Sequence, residues 1–167
     1  MYISSDTNIW FDFETIGFTE HPFLLDNEYY LSDVTYHDEI RFSETIRKRV
    51  ISKQLHITPV SPQELQQASE LSEIYPEMSI HDAIALSIAK TRKWTLLSGD
   101  GNLRKAAEKE CVECHGTLWI YSLLRKEHKV TDDIYQEALK RLLDAAETKG
   151  RRLPKAEIIR MINEAKD

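Results

Sequence analysis

Five short apolar stretches, each separated from the next by a segment of helical pattern, constrain this chain more than any other feature. Tyr2–Ser4, Tyr29–Leu31, His56–Val60, Trp94–Leu97 and Val112–His115 read as strands. Asn8–Phe13, Thr35–Ser52, Pro62–Ile74, Ile80–Lys93 and Asn102–Lys109 read as helices. The clearest helix is Ile80–Lys93, where Ile80, Ile84, Ser87 and Ile88 mark one face at helical spacing. Strands that alternate with helices predict parallel strands joined by right-handed crossovers, with helices covering both faces. The expectation is an α/β fold: three layers, α/β/α, around a mostly parallel five-stranded sheet, followed by C-terminal helices.

The pattern changes after residue 130. Thr131 caps a helix with apolar positions Ile134, Ala138, Leu142 and Ala145, which ends near Gly150. Arg151-Arg152-Leu153-Pro154 breaks the periodicity before a short helix carrying Ile158, Ile159 and Ile162. Residues 1–130 therefore read as one domain, and 131–167 as a helical extension packed on that domain or on a partner. A short helix needs a packing surface to persist, and an exposed apolar stripe of that size is unusual on a monomer.

A chain of 167 residues, 41% hydrophobic and 30% charged, is the size and composition of one folded domain. No apolar run approaches the roughly 20 residues that span a bilayer, so no membrane is expected. Met1-Tyr2 leads straight into Ile3-Ser4-Ser5-Asp6 without a basic region or cleavage segment, which points to the cytoplasm. Cys111 and Cys114 close too small a loop to brace a fold. Cys111-Val112-Glu113-Cys114-His115 matches the c-type haem attachment pattern, but that chemistry needs an exported chain. A strand with Val112 and Cys114 facing the core is the expected reading.

The net charge of −6 argues against binding nucleic acid by bulk electrostatics. Its distribution says more. Residues 1–45 hold ten acidic side chains and one basic, whereas residues 90–167 hold seventeen basic and thirteen acidic. Carboxylates gathered in one region, with basic groups elsewhere, suit a metal-dependent site better than a plain phosphate groove.

Parallel sheets bind ligands outside the carboxyl ends of their strands, near a switch in strand order. Asp6 lies just past the first strand and Asp100 just past the fourth, so both project from one edge. Asp82 sits in the first turn of its helix, three residues after Ser79, and Glu39 opens the helix after the second strand. Each has a structural reading: helix caps for Asp6 and Asp100, a capping box for Asp82, a first-turn acid for Glu39. Together they need a further reason to share an edge. Two unit charges about 4 Å apart repel by roughly 4 kcal/mol at an effective dielectric of 20. Such a group is stable only when protonated or bridged by a cation, and hard oxygen donors suit magnesium or manganese.

Here the residues resemble a known family. Ser5-Asp6-Thr7-Asn8-Ile9 resembles the first acidic motif of PIN domains. Asp82-Ala83-Ile84-Ala85-Leu86-Ser87-Ile88-Ala89 resembles their helix-borne acid with its small apolar followers. Leu96-Leu97-Ser98-Gly99-Asp100, with Leu103-Arg104-Lys105-Ala106-Ala107, resembles the last acidic motif. Cys114-His115-Gly116-Thr117-Leu118-Trp119 is similar to PIN proteins that continue into a helical extension. For the second acid Asp38 and Glu39 compete, and Glu39 is favoured because it precedes Ile40. Asn102 stands where many members carry a further Asp, which leaves one charge fewer for a second metal.

The resemblance implies a metal-dependent endoribonuclease that hydrolyses single-stranded RNA, the toxin of a toxin–antitoxin pair in many relatives. Asp6, Glu39, Asp82 and Asp100 would be its catalytic metal ligands, with Mg2+ or Mn2+ as the cation. Asn8, Ser98 and Asn102 would support them; Ser98 would orient the Asp100 loop, and Arg104 and Lys105 are candidates for phosphate contacts. It also implies an RNA substrate, a protein antitoxin and a homodimer. The alternatives are a non-catalytic PIN-like module that binds RNA or a partner, and an aspartyl-phosphate phosphatase. The second lacks its customary acid two residues after the nucleophile, where this chain has Asn8.

Overall fold

The computed structural model describes residues 1–40 and 43–165. Five strands form one sheet: β1 (Tyr2–Ser5), β2 (Glu28–Ser32), β3 (Leu55–Thr58), β4 (Thr95–Leu97) and β5 (Cys114–His115). All neighbouring pairs are parallel and the order is β3-β2-β1-β4-β5. This is a doubly wound order. Successive strands move outward on one side through β2 and β3, then return to the middle and move outward through β4 and β5. The direction reverses between β1 and β4, which leaves a crevice at their carboxyl ends.

Helices cover both faces of the sheet. On one face, α1 (Thr7–Ile16), α3 (Glu44–Ile51), α7 (Thr117–Lys126), α8 (Asp132–Thr148) and α9 (Lys155–Glu164) share a core with Ile3, Tyr29, Leu31, Leu55 and Leu97. On the other, α4 (Pro62–Ile74), α5 (Ile80–Arg92) and α6 (Gly101–Lys109) pack around Leu96. Leu96 and Leu97 serve opposite cores because successive strand residues face opposite sides. Between β2 and α3, helix α2 (Asp33–Thr35) runs on into a π-helical turn, Tyr36–Ile40. The sequence pattern gives one helix over Thr35–Ser52; the structure breaks it into these pieces, and residues 41 and 42 lie outside the described residues.

Local sequence explains most boundaries. Ser61 and Glu64 form a reciprocal capping box at α4, as do Ser79 and Asp82 at α5. Gly17 adopts φ 77°, which lets α1 end with Phe18 N–H donating to the Phe13 carbonyl at 3.0 Å. Helix α5 is buried along Ala83–Ala89, so its apolar residues are not confined to one face. Ile80, expected on the buried face, is 50% exposed, because the helix sinks into the core only after its first turn.

The two last helices fold back onto the chain's own core. Tyr135, Leu139, Leu142 and Ile158 are at most 3% exposed and join the cluster built on α1 and α7. Ile134 and Ile159, expected in the apolar stripes, are 40% and 46% exposed; Tyr135 and Met161 are buried beside them instead. Among the described residues no helix is long and apolar enough to cross a membrane.

Candidate active site

Two helix caps meet at the crevice between β1 and β4. Asp6, directly after β1, caps α1: its Oδ1 accepts the Ile9 N–H at 3.2 Å. Asp100, three residues after β4, caps α6: its Oδ1 accepts the Asn102 and Leu103 N–H groups, both at 2.9 Å. Ser98 joins them. Its hydroxyl donates to Asp6 Oδ2 and accepts the Asp100 N–H at 3.0 Å. The strands below hold this arrangement in register, with Asp6 N–H on the Leu97 carbonyl at 3.1 Å and Ser98 N–H on the His115 carbonyl at 2.7 Å.

Asp6 is only 4% exposed. Burial pushes its carboxyl up to about 7, against the Ser98 and Ile9 hydrogen bonds that favour the charged form; Asp82 and Asp12 add to the rise. A carboxylate in that state carries a burden that a nearby cation would relieve.

Asp82, whose charge acts on Asp6, is held in its capping box: Oδ2 accepts the Ser79 N–H at 3.0 Å and the Ser79 hydroxyl at 2.8 Å. Glu39 lies further round the rim and does not stand apart from Asp38 by direction. Both carboxylates approach His81 Nε2, Asp38 at 3.6 Å and Glu39 at 3.8 Å. The π-helical turn brings these neighbours to the same imidazole. Glu39 is the less exposed, 34% against 60% for the side chain. His81 also contacts the Thr35 hydroxyl at 3.4 Å.

Asp12 was not expected in this region. It is 3% exposed, on the face of α1 that carries Ile9, Phe13 and Ile16. Its Oδ2 accepts the Thr117 hydroxyl at 2.7 Å, and its Oδ1 accepts Arg151 Nε at 2.7 Å. Arg151 also donates to the Asn8 carbonyl at 2.7 Å. Burial raises the Asp12 carboxyl despite Thr117 and Arg151. The sequence did hold a signal: an acid at apolar helical spacing, i+3 from Ile9 and i−4 from Ile16. Its partner, 139 residues away, left none.

Asn8, Asp12, Gly99, Asp100, Arg151 and Arg152 line a cavity of about 190 Å³ at this edge. The two phosphate candidates diverge. Arg104 lines a second cavity with His115, Trp119 and Arg152, whereas Lys105 and Asn102 line a groove beside Tyr75 and Met78.

Among the described residues no three carboxylate, imidazole or thiol groups stand close enough to hold a metal ion. Ser98 joins Asp6 to Asp100, Asp82 reaches Asp6 through its charge, and Glu39 lies against His81. The donor chemistry nevertheless suits a hard divalent cation. The groups are carboxylate oxygens, one is buried with a raised pKa, and Asp82 Oδ1 and Asp100 Oδ2 carry no hydrogen bond among the described residues.

A doubly wound parallel sheet with carboxylates at the switch in strand order defines a class: α/β domains with an acidic edge at the place where such sheets take their ligands. The PIN domain family model matches residues 2–167, and the chain belongs to the PIN domain family, whose fold is of the nuclease type. The match runs through α8 and α9. No curated protein is similar enough to the chain to lend it an activity.

Proposed function

We propose that this PIN domain is a metal-dependent endoribonuclease that hydrolyses phosphodiester bonds in single-stranded RNA. The observation that supports it best is the Asp6–Ser98–Asp100 arrangement at the β1/β4 crevice, with a buried Asp6 carboxyl raised to about 7. Asp6, Asp82, Asp100 and Glu39 would hold Mg2+ or Mn2+. When bound, such a cation polarises a phosphoryl oxygen and lowers the pKa of a water.

The chain's own groups then have distinct tasks. Ser98 fixes Asp6 and the Asp100 backbone relative to each other, so the two carboxylates keep their separation. The α1 and α6 caps hold one oxygen of each carboxylate on backbone N–H groups. Asp12 holds Arg151 against the Asn8 carbonyl, which places Gly150 and Arg152 along the same cavity. Asn8, in the first turn of α1, gives its carbonyl to Arg151, and Asn102 supplies an N–H to Asp100. Arg152, exposed at the cavity wall, opposes the net negative charge of the rest of the chain and meets the phosphates of a strand.

Cleavage of a labelled single-stranded RNA in manganese, with chelator as control, tests the reading. Wild type is expected to cut, and Asp100→Asn to lose at least a hundredfold in rate. Cleavage that persists in chelator or in Asp100→Asn overturns it.

The proposal extends to assembly. Ile134 and Ile159 remain exposed on the last two helices, and we expect them in or beside a homodimer interface. Sedimentation at tens of micromolar checks this; a monomer refutes it. As a toxin, the chain would be restrained by a protein antitoxin, tested by whether the product of an adjacent gene co-purifies and stops cleavage.

A further inference from the structure

The cavity around Asp100 does not end at Arg152. Gly99 and Arg152 also line a second cavity of about 230 Å³, which runs from the carboxyl end of β4 past β5 to α7. Its walls carry Arg104, His115 and Trp119, with Glu157 as the opposing acid. His115 and Trp119 lie stacked, ring centroids 4.2 Å apart and planes within 5°. Glu113 holds the imidazole through a 2.8 Å contact with His115 Nε2. Among the described residues neither Arg104 nor Arg152 has a carboxylate within ion-pair distance, whereas Arg151 beside them is fully engaged by Asp12.

Resting on the proposed ribonuclease function, we infer that this second cavity binds the unpaired nucleotide next to the scissile phosphate of a single-stranded RNA. The base adds to the His115–Trp119 stack. It does not enter between the rings, since 4.2 Å is already the spacing of two rings in contact. Arg104 and Arg152 take the flanking phosphates. Three features select this occupant. The volume suits one ring system rather than a large ligand. Aromatic faces accept any base, while a paired base has no free face to offer. Two cations with no carboxylate at ion-pair distance among the described residues complement a phosphate backbone in a chain of net negative charge.

Binding without cleavage isolates this site from the chemistry. A fluorescein-labelled single-stranded octanucleotide RNA would be titrated with wild type, Trp119→Phe, Trp119→Ala and Arg152→Gln, all in chelator. The same RNA would be assayed for cleavage in manganese. Arg152 is exposed, so its variant keeps the fold; melting curves qualify the two Trp119 variants, and Trp119→Phe keeps the apolar contact if Trp119→Ala unfolds.

Trp119→Ala is expected to weaken binding by roughly tenfold or more, the scale of one lost base–aromatic stack, with Trp119→Phe between it and wild type. Arg152→Gln should weaken binding several-fold and lower the salt dependence. A duplex of the same sequence should bind less well than the single strand. Equal affinity of folded Trp119→Phe, Arg152→Gln and wild type overturns the inference even if the RNA is cut. Binding that depends on Trp119 and Arg152 without any cleavage upholds the subsite and sinks the nuclease reading. Failure of the wild type to bind the single strand overturns the subsite whatever the cleavage assay shows.

Discussion

Replacing Asp6 by asparagine should make the metal-free protein more stable at alkaline pH. The group is 4% exposed and its carboxyl is raised from 3.8 to about 7. Between those values the folded protein keeps a proton that the unfolded chain releases. Stability therefore falls as pH rises through that window, and the full loss is felt above about 7. A tenfold change in acid dissociation is worth about 1.4 kcal/mol, which caps the burden at roughly 4 kcal/mol. Buried groups behave as though the effective dielectric were near 20, so 1–3 kcal/mol is the realistic scale. Asparagine removes the charge while its Oδ1 still accepts the Ile9 N–H and its amide can donate to Ser98.

In a domain of this size, about 2 kcal/mol moves the melting temperature by roughly 4–8 °C. Thermal melts in chelator at pH 5 and pH 8 measure it. Asp6→Asn should melt above wild type at pH 8, with the gap closing at pH 5. Manganese should reverse the order at pH 8, since a ligand at a hundred times its Kd stabilises wild type by about 2.7 kcal/mol. A variant that melts below wild type by the same margin at both pH values in chelator would refute the reasoning, because Asp6 would then be an ordinary cap.

The remaining predictions concern the rim and the tail. Cleavage by Glu39→Gln should fall at least tenfold below that of Asp38→Asn, since Glu39 is the less exposed of the two acids at His81; the reverse order assigns the second acid to Asp38. Arg151→Ala leaves Asp12 buried without its cation and should cost on the order of 3 kcal/mol in denaturant unfolding, with Asp12→Asn in the same chain recovering much of it. Ending the chain at Lys129 removes Tyr135, Leu139, Leu142 and Ile158 from the shared core, so the product should lose cooperative unfolding rather than behave as a trimmed domain.

What could be read in the sequence was whatever nearby residues decide. Pro62–Ile74 was legible to the residue, and the structure supplies a local reason: Ser61 and Glu64 cap its start reciprocally, with Pro62 in the first turn. The positions of Asp6 and Asp100 followed from short apolar strands ending in Ser, Asp and Gly. The expected Val112–His115 strand shrank to Cys114–His115, since Cys111 turns through a positive φ of 57° just before it. Helix α7 was not visible: Thr117-Leu118-Trp119-Ile120-Tyr121 is apolar, aromatic and β-branched without a break, and such a run carries no helical period. Its burial on α8 and the core decides the matter. Asp12 was hidden for another reason. A carboxylate in an apolar stripe is legible as an anomaly, but its resolution by Arg151 and Thr117 belongs to the tertiary structure.

The structural and functional readings of the rim acids are not rivals. Each carboxylate has two oxygens, and a cap needs one. In Asp100, Oδ1 takes the Asn102 and Leu103 N–H groups and leaves Oδ2 without a partner among the described residues; in Asp82, Oδ2 takes Ser79 and leaves Oδ1. The cap therefore orients the acid, and the orientation aims its second oxygen away from the helix it caps. It also lowers the cost of holding a negative charge at that point, because the helix N-terminus is electropositive. Asp6 differs, since Ser98 occupies its second oxygen and burial raises its pKa. Of the caps at this edge, Asp6 is the one whose charge the fold does not itself accommodate. In the proposed metal site that asymmetry would matter: the capped acids would stay in place, and the buried one would gain most from a positive charge.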